Sequence, residues 1–268
     1  MPTLVLTRRY GPDSNALWHA AIEAGWDVER LQSMRARHEL ASRDPVFYGE
    51  TLWADAISET LGIALLEPTA DWLPRLPERY RRRDIRLATL EEARGLERPA
   101  FVKAPDEKWL TARVYASGRE IDVEGIEPSA EVLIADPVDF RIELRTFLLE
   151  RRLMALSPYV RDGDIARDEA GAWAAADEDV AACRAFVQAL AADRDVALPP
   201  AAVVDVGRLA DGAWAVVEAN ACWASGICGC DPAAVLEVVR RASVGADRLT
   251  DADRPWVRGY EDRPQPCR

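Results

Sequence analysis

Residues 201–220 read AAVVDVGRLADGAWAVVEAN. Two apolar runs, AVVDVGRL and AWAVVEAN, flank Asp211-Gly212, a dipeptide suited to a tight hairpin turn. If those two residues form the loop, Ala210 pairs with Ala213 and Asp205 stands directly opposite Glu218. Opposed residues of an antiparallel pair share a face, with Cβ atoms about 5 Å apart. Asn220, two residues past Glu218, points to the same face. A four-residue loop preserves this register and a three-residue loop slips it. Two carboxylates facing each other between valines repel, so either one stays protonated or a cation lies between them. Asp205, Glu218 and the amide oxygen of Asn220 make a hard donor set of the kind that suits Mg²⁺. The competing reading is a surface hairpin with both acids in solvent.

Outward from the hairpin, ACWASGICGC (221–230) is a small-residue loop, and Asp231 with Pro232 starts a helix. The chain beyond about residue 246 is charged and reads as an irregular end. Upstream, residues 177–192 form the clearest helix, capped by Asp177, with a stripe of Val180, Cys183, Val187 and Leu190. RIELRTFLL (141–149) alternates: Ile142, Leu144 and Leu148 face one way, Arg141, Glu143 and Arg145 the other. That polar face is either solvated or the wall of a cleft. AEVLIA (130–135) is a buried strand stopped by Asp136-Pro137, and TARVYASGREID (111–122) reads as a hairpin turning at Ser117-Gly118. PAFVK (99–103) is a strand and residues 88–95 a short helix. Arg79, Arg81, Arg82, Arg83 and Arg86 make either a solvated face or a grip on an acidic substrate. At the N-terminus, TLVLT, a helix over 15–25 capped by Asp13 or Ser14, DVERL, a helix over 51–62 and IALLEP alternate as in a small α/β domain with a parallel sheet.

Charge narrows the function. Only two of the 34 basic residues are lysine, Lys103 and Lys108, both in FVKAPDEKWL (101–110). Where a composition rich in Ala, Arg and Asp writes arginine freely, a retained lysine marks a site that wants a compact point charge, such as a phosphate oxygen. The alternative is a chance pair. The net charge of −12 argues against nucleic acid as a partner. It is uneven, −2 over residues 1–100 and −10 over the rest, through general solubility or through carboxylates that hold metal. No apolar run approaches the roughly 20 residues of a membrane span. The N-terminal apolar strand precedes its arginines, the reverse of a signal peptide, so a cytoplasmic location is expected. Five cysteines in this length are expected as free thiols. Cys222, Cys228 and Cys230, without a nearby fourth ligand, read as small buried residues rather than a zinc site. His19 and His38 read as ordinary surface or packed residues. Neither GxxxxGK followed by Ser or Thr nor GxGxxG occurs.

A lysine at a strand end (FVK), a later apolar strand with a hinge (VLIADPV) and a closing hairpin bearing Asp205, Glu218 and Asn220 resemble the ATP-grasp superfamily. YGETLWADAISETLG (48–62), DWLPRLPERY (71–80), FVKAPDEKW (101–109), the strand with Arg145 and VVEANACWASGICGCDP (216–232) are similar to the small ATP-grasp clade named for its arginine and lysines. The resemblance runs from about residue 45 to 240. It implies an α/β and α+β molecule: two α+β lobes that clasp ATP, at 86–140 and 141–245. A small α/β domain at 1–85 precedes them and a tail at 246–268 follows. It implies that Lys103 contacts the α- and β-phosphates and that Lys108 reaches the β/γ side. Backbone at Ala135, Asp136 and Val138 would hold adenine, with Asp136 near adenine or ribose. Arg145 would face the γ-phosphate or an acyl phosphate. Asp205, Glu218 and Asn220 would hold Mg²⁺, and Trp223, Ser225 and Gly226 would shape the acceptor pocket. The Gly-rich phosphate lid of larger relatives has no counterpart beyond Ser117-Gly118. The implied activity is ATP-dependent ligation of a carboxylate to an amine through an acyl phosphate, on an amino acid or peptide. No nucleic-acid or membrane partner is expected. A nucleotide-binding regulatory or scaffold module and a phosphotransferase are the rival readings.

Overall fold

The computed structural model describes residues 1–33, 35–105 and 109–259. Four buried residues form β1 (Thr3–Leu6). Helix α1 (Pro12–Glu23) follows, with proline in its first turn and Leu17, Ala20 and Ala21 on its buried face. Its N-cap is Gly11, and Ser14 Oγ accepts the Gly11 N–H from within the helix. Asp13 caps nothing in α1. Its carboxylate instead accepts the Ile227 N–H, 214 residues away. β2 (Asp27–Arg30) and β3 (Pro45–Tyr48) lie parallel on either side of β1. The expected parallel sheet is present, but β3 carried no strand signal of its own: four residues with proline first are too few to show a period. Helix α2 (Thr51–Leu61) ends at Gly62, which takes the left-handed φ of 64° that a helix stop favours. β4 (Ile63–Leu65) leaves the parallel sheet.

Two short helices, α3 (Trp72–Arg75) and α4 (Glu78–Arg81), lead into a four-stranded sheet of β5 (Ile85–Thr89), β6 (Ala100–Lys103), β7 (Arg113–Tyr115) and β8 (Glu131–Ala135). Its order is β5-β8-β6-β7. Helix α5 (Leu90–Arg94) starts with a reciprocal cap in which Thr89 and Glu92 satisfy each other's backbone N–H. The hairpin expected at Ser117-Gly118 does not form. β7 pairs with β6, and residues 118–120 make a 3₁₀ turn. Gly118 is pressed against α5, where a Cβ would lie 2.2 Å from the Ala93 carbonyl oxygen. This glycine serves close backbone packing, not a lid.

The second large sheet has the order β11-β10-β9-β12-β13. It comprises β9 (Phe140–Leu149), β10 (Arg152–Arg161), β11 (Asp164–Ile165), β12 (Ala201–Leu209) and β13 (Trp214–Asn220). Helix α6 (Asp177–Ala192) covers one face through Cys183, Val187 and Leu190. Asp177 is its first residue and not its cap. Helix α7 (Pro232–Ala242) is capped by Asp231, which accepts from Ala233 N, as expected. After it, β14 (Ser243–Gly245) pairs antiparallel with β4. One core cluster joins β1, β3, α1 and α2 to Phe147, Val203, Trp223 and the inner face of α7. A second joins the large sheet and α6 to Ile85, Leu133 and Ala135 of the small sheet. Among the described residues no helix is long and apolar enough to cross a membrane.

Candidate active site

The large sheet places one row of side chains across its strands. Ser157 on β10 faces Arg145 on β9, Arg145 faces Asp205 on β12, and Asp205 faces Glu218 on β13. The Asp205–Glu218 pairing was expected, but it arises differently. The hairpin loop has three residues: Leu209 N donates to Ala213 O, and Gly212 takes a left-handed φ of 88°. That loop slips the near half of the ladder by one, so that Val206 faces Val216. A bulge at Val217 then restores the register, and Asp205 meets Glu218.

Arg145 grips Asp205 with two parallel bonds, Nε to Oδ1 at 3.0 Å and Nη2 to Oδ2 at 2.7 Å. The Asp205 side chain is fully buried. Burial pushes its carboxyl above the usual range, and Arg145 opposes that. Lys103 reaches across from the small sheet to Glu218 Oε2 at 2.5 Å. Burial works against ionisation of Glu218, but the Lys103 charge and its hydrogen bond outweigh it and hold the carboxyl low. Asn220 Nδ2 lies 2.9 Å from Glu218 Oε1 and 3.5 Å from Asp205 Oδ2. Two cations and two carboxylates thus adjoin in a line between the sheets, with the Asn220 amide beside the two carboxylates at its middle.

Two more side chains adjoin this line. Tyr159 donates to Glu143 Oε2 at 2.5 Å, and its ring centre lies 5.0 Å from the Arg145 guanidinium. Burial raises the Glu143 carboxyl, with Asp205 and Glu218 adding to it and Tyr159 working against it. Burial and the same carboxylates hold the Tyr159 hydroxyl far above the phenol range. The polar face of β9 thus divides: Arg141 is half exposed and paired with exposed Asp139, while Glu143 and Arg145 are held by Tyr159 and Asp205. Glu143 was legible as a member of that face, while Tyr159 sits at a bulge in β10 that periodicity does not show. Arg83, from the arginine-rich run, donates to the Val216 and Val217 carbonyls of the bulged strand at 2.8 and 3.0 Å. Burial lowers it to about 10.

On the other side of Arg145 lies the loop after β13. Arg145 Nη1 donates to Gly226 O at 3.0 Å. A Cβ on Gly226 would lie 2.8 Å from Asp13 Oδ2 and 3.8 Å from Arg145 Nη1, so the lack of a side chain there keeps these groups together. Tyr48, at the end of β3, donates to Ser225 O at 2.8 Å. Burial, and next Asp13, raise the Tyr48 hydroxyl. Asp13 and Tyr48 were not anticipated at the site; they come from the first turn of α1 and the end of β3, and carry no local signal of it. Of the three loop residues expected at an acceptor pocket, Gly226 lies beside Arg145. Ser225 Oγ is spent on Ala221 O. Trp223 is fully buried in the core with its indole N–H on Leu66 O.

Ala135 and Asp136 stand at the end of β8, with Ala135 opposite Phe101, two residues before Lys103 on β6. Ala135 is buried, Val138 is 37% exposed, and Asp136 pairs with Arg98 at 3.6 Å. A cavity of about 350 Å³ next to them is lined by Arg81, Arg86, Arg98 and Ile134. Lys108 lies outside the described residues. Cys222 and Cys230 are buried and Cys228 half-buried, all as free thiols. Glu218, Asp205 and Asn220 offer only carboxylate oxygens and an amide whose oxygen and nitrogen exchange by a simple flip. That donor set fits a hard divalent cation.

A family model for the ATP-grasp domain, the second family of the clade named for its arginine and lysines, matches residues 80–238, more than half of the chain. Among solved structures, the chain is similar to D-cycloserine synthetase DcsG, with a TM-score of 0.53 and 16% identity over 90% of this chain and 99% of that one. It is similar also to N5-carboxyaminoimidazole synthase from Aspergillus clavatus, in complex with ADP and 5-aminoimidazole ribonucleotide. There the TM-score is 0.53 and the identity 13%, over 92% of this chain and 79% of that one. At these identities the likeness is one of fold. No curated protein matches the chain.

Proposed function

The chain belongs to the ATP-grasp family, and from that premise we propose that it is an ATP-dependent ligase joining a carboxylate to an amine through an acyl phosphate. The observation that carries this reading is the line Lys103–Glu218–Asp205–Arg145. It sets point charges and hard oxygen donors on facing strands of two sheets, as phosphoryl transfer requires. Lys103 contacts the α- and β-phosphates, with Lys108 on the β/γ side. The hinge backbone from Ala135 to Val138 holds adenine, and Asp136 sits near it. Asp205, Glu218 and Asn220 hold Mg²⁺, which when bound neutralises charge on the phosphates. Arg145 faces the γ-phosphate and then the acyl phosphate. The loop at Gly226, with Asp13 and Tyr48, borders the acceptor side. Trp223 supports that loop from the core and does not reach substrate.

The substrate carboxylate oxygen attacks the γ-phosphorus, the bond to the bridging oxygen breaks, and ADP leaves. An amine nitrogen then attacks the acyl carbon. The C–N bond forms, the C–O bond to phosphate breaks, phosphate takes the electron pair, and the amine proton passes to solvent. An amino acid or a peptide is the proposed substrate class, and the proposed location is the cytoplasm.

The test is ADP release by the full chain with Mg²⁺ and panels of amino acids and peptides, with hydroxylamine added to trap the acyl phosphate as a hydroxamate. Carboxylate-dependent ADP and hydroxamate are expected, both lost in Lys103→Ala. A stable phosphorylated product in place of an amide makes the protein a phosphotransferase. Nucleotide binding without turnover across the panels makes it a binding module.

A further inference from the structure

Both carboxylates of the cation site are already paired with cations of the chain itself. Arg145 holds both oxygens of Asp205. The Lys103 ammonium holds Glu218 Oε2, while Oε1 lies on the side of Asn220. The two sheets meet closely here: the space lined by Thr69, Trp72, Lys103, Leu133 and Glu218 is about 30 Å³. A divalent ion arriving alone at these carboxylates would sit between two positive charges, Lys103 on Glu218 and Arg145 on Asp205. Only Lys103 of those two is free to move. Its charge rides on a flexible stem with 18% of the side chain exposed, whereas Arg145 is clamped by two bonds to Asp205 and a third to Gly226 O.

We infer that Lys103 is a gate on the cation site, opened when a nucleotide phosphate draws its ammonium off Glu218. The inference rests on the assignment of Asp205, Glu218 and Asn220 as the cation site, and adds an order of binding to it. One lysine serves in turn as counter-ion of the empty carboxylate and as phosphate ligand. Metal and nucleotide then favour each other's binding, and the coupling is reciprocal. An arginine at 103 would hold the gate shut, since its planar fork suits a carboxylate and releases it less readily.

The experiment titrates the full chain with Mn²⁺ alone and follows free Mn²⁺ by electron paramagnetic resonance. The wild type is expected to bind weakly and Lys103→Met about tenfold tighter or more, because one positive charge has gone from beside the ion. Lys103→Arg is expected to bind as weakly as the wild type. Adding Glu218→Gln to Lys103→Met should abolish the gain. Lys103→Gln, which keeps a polar partner for Glu218, takes the place of Lys103→Met should that variant unfold. Equal Mn²⁺ affinity in the wild type and the neutral variants overturns the gate, and so does tight binding by Lys103→Arg. Binding of a non-hydrolysable ATP analogue to the wild type is measured separately. Its failure would remove the ligase reading and leave the Mn²⁺ comparison standing on its own.

Discussion

Arg145 and Asp205 show what a buried ion pair costs and what it does. Asp205 is fully buried and Arg145 nearly so, with 12% of its side chain exposed. Taking both charges out of water is offset only because the geometry is bidentate. Removing Arg145 alone strands a carboxylate in the core, so Arg145→Met should cost about 3–5 kcal/mol of stability. The double variant Arg145→Met with Asp205→Leu should recover most of that loss in urea denaturation, with no recovery of ADP release. Recovery of stability without activity separates the pair's chemical role from its structural one. The residues of this site were unequally legible. Asp205, Glu218 and Asn220 announced themselves because alternation along a strand shows which side chains share a face. Lys103 stood out through the scarcity of lysine. Asp13, Tyr48 and Tyr159 gave no signal, since nothing local in a first helical turn, a short strand end or a strand bulge shows which distant loop it will meet.

At the scale of elements, the hairpin and the small sheet each turn on one glycine. Gly212 holds φ at 88° in the three-residue loop. Gly212→Ala should cost about 1 kcal/mol, because a Cβ is strained there. It should also loosen the register on which the bulge at Val217 depends. The sequence led to the right pairing of Asp205 with Glu218 through the wrong loop. An apolar alternation cannot tell a two-residue turn from a three-residue turn corrected by a bulge. Gly118 makes the sharper test. A lid glycine would accept alanine with little change in stability. Here the added Cβ would lie 2.2 Å from one carbonyl oxygen and 2.4 Å from the next. Neither backbone can give way cheaply, so Gly118→Ala should lower the melting temperature, at a cost of about 2–3 kcal/mol. An unchanged melting curve with altered turnover would return this turn to the role of lid. The tie between α4 and the end of α6 belongs to this scale too. The Arg79 hydrogen bond, with help from the Asp195 N–H and Tyr80, holds Asp193 at about 2. Because that lies below the unfolded value of about 3.9, the tie contributes stability above roughly pH 4 and loses it as pH falls towards 2. Asp193→Asn should therefore lower urea stability at neutral pH and flatten its fall between pH 4 and pH 2, so that the variant and the wild type converge in acid.

For the whole molecule, what was hidden in the sequence is how its parts share a core; the burial of its described cysteines was legible, apart from Cys228, which is only half-buried. Cys183, Cys222 and Cys230 are buried, and burial pushes each thiol to about 12. Native alkylation at pH 8 followed by mass spectrometry should therefore modify, among the four described cysteines, Cys228 alone. The N-terminal sheet is bound into the rest by contacts far apart in the chain. Gly49 N donates to Trp223 O, Trp223 Nε1 to Leu66 O, and Phe47 N to Ser243 Oγ. β14 returns from the end of α7 to pair with β4. Trp223, Val235, Leu236 and Val239 sit in the same apolar cluster as Leu4, Phe47 and Ile57. The parallel sheet and α1 thus cover α7 and the loop that carries Gly226, while Asp13 and Tyr48 reach that loop directly. A fragment beginning at residue 67 keeps the whole family match, residues 80–238. It would nevertheless expose the apolar face of α7 and leave the indole N–H of Trp223 without its partner. Such a fragment should aggregate or unfold without a cooperative transition, while the full chain melts as one unit through the shared core. A monomeric, cooperatively folding fragment that still bound nucleotide would show that the N-terminal sheet only borders the acceptor side. The support for Arg145 and Gly226 would then have to come from the large sheet alone.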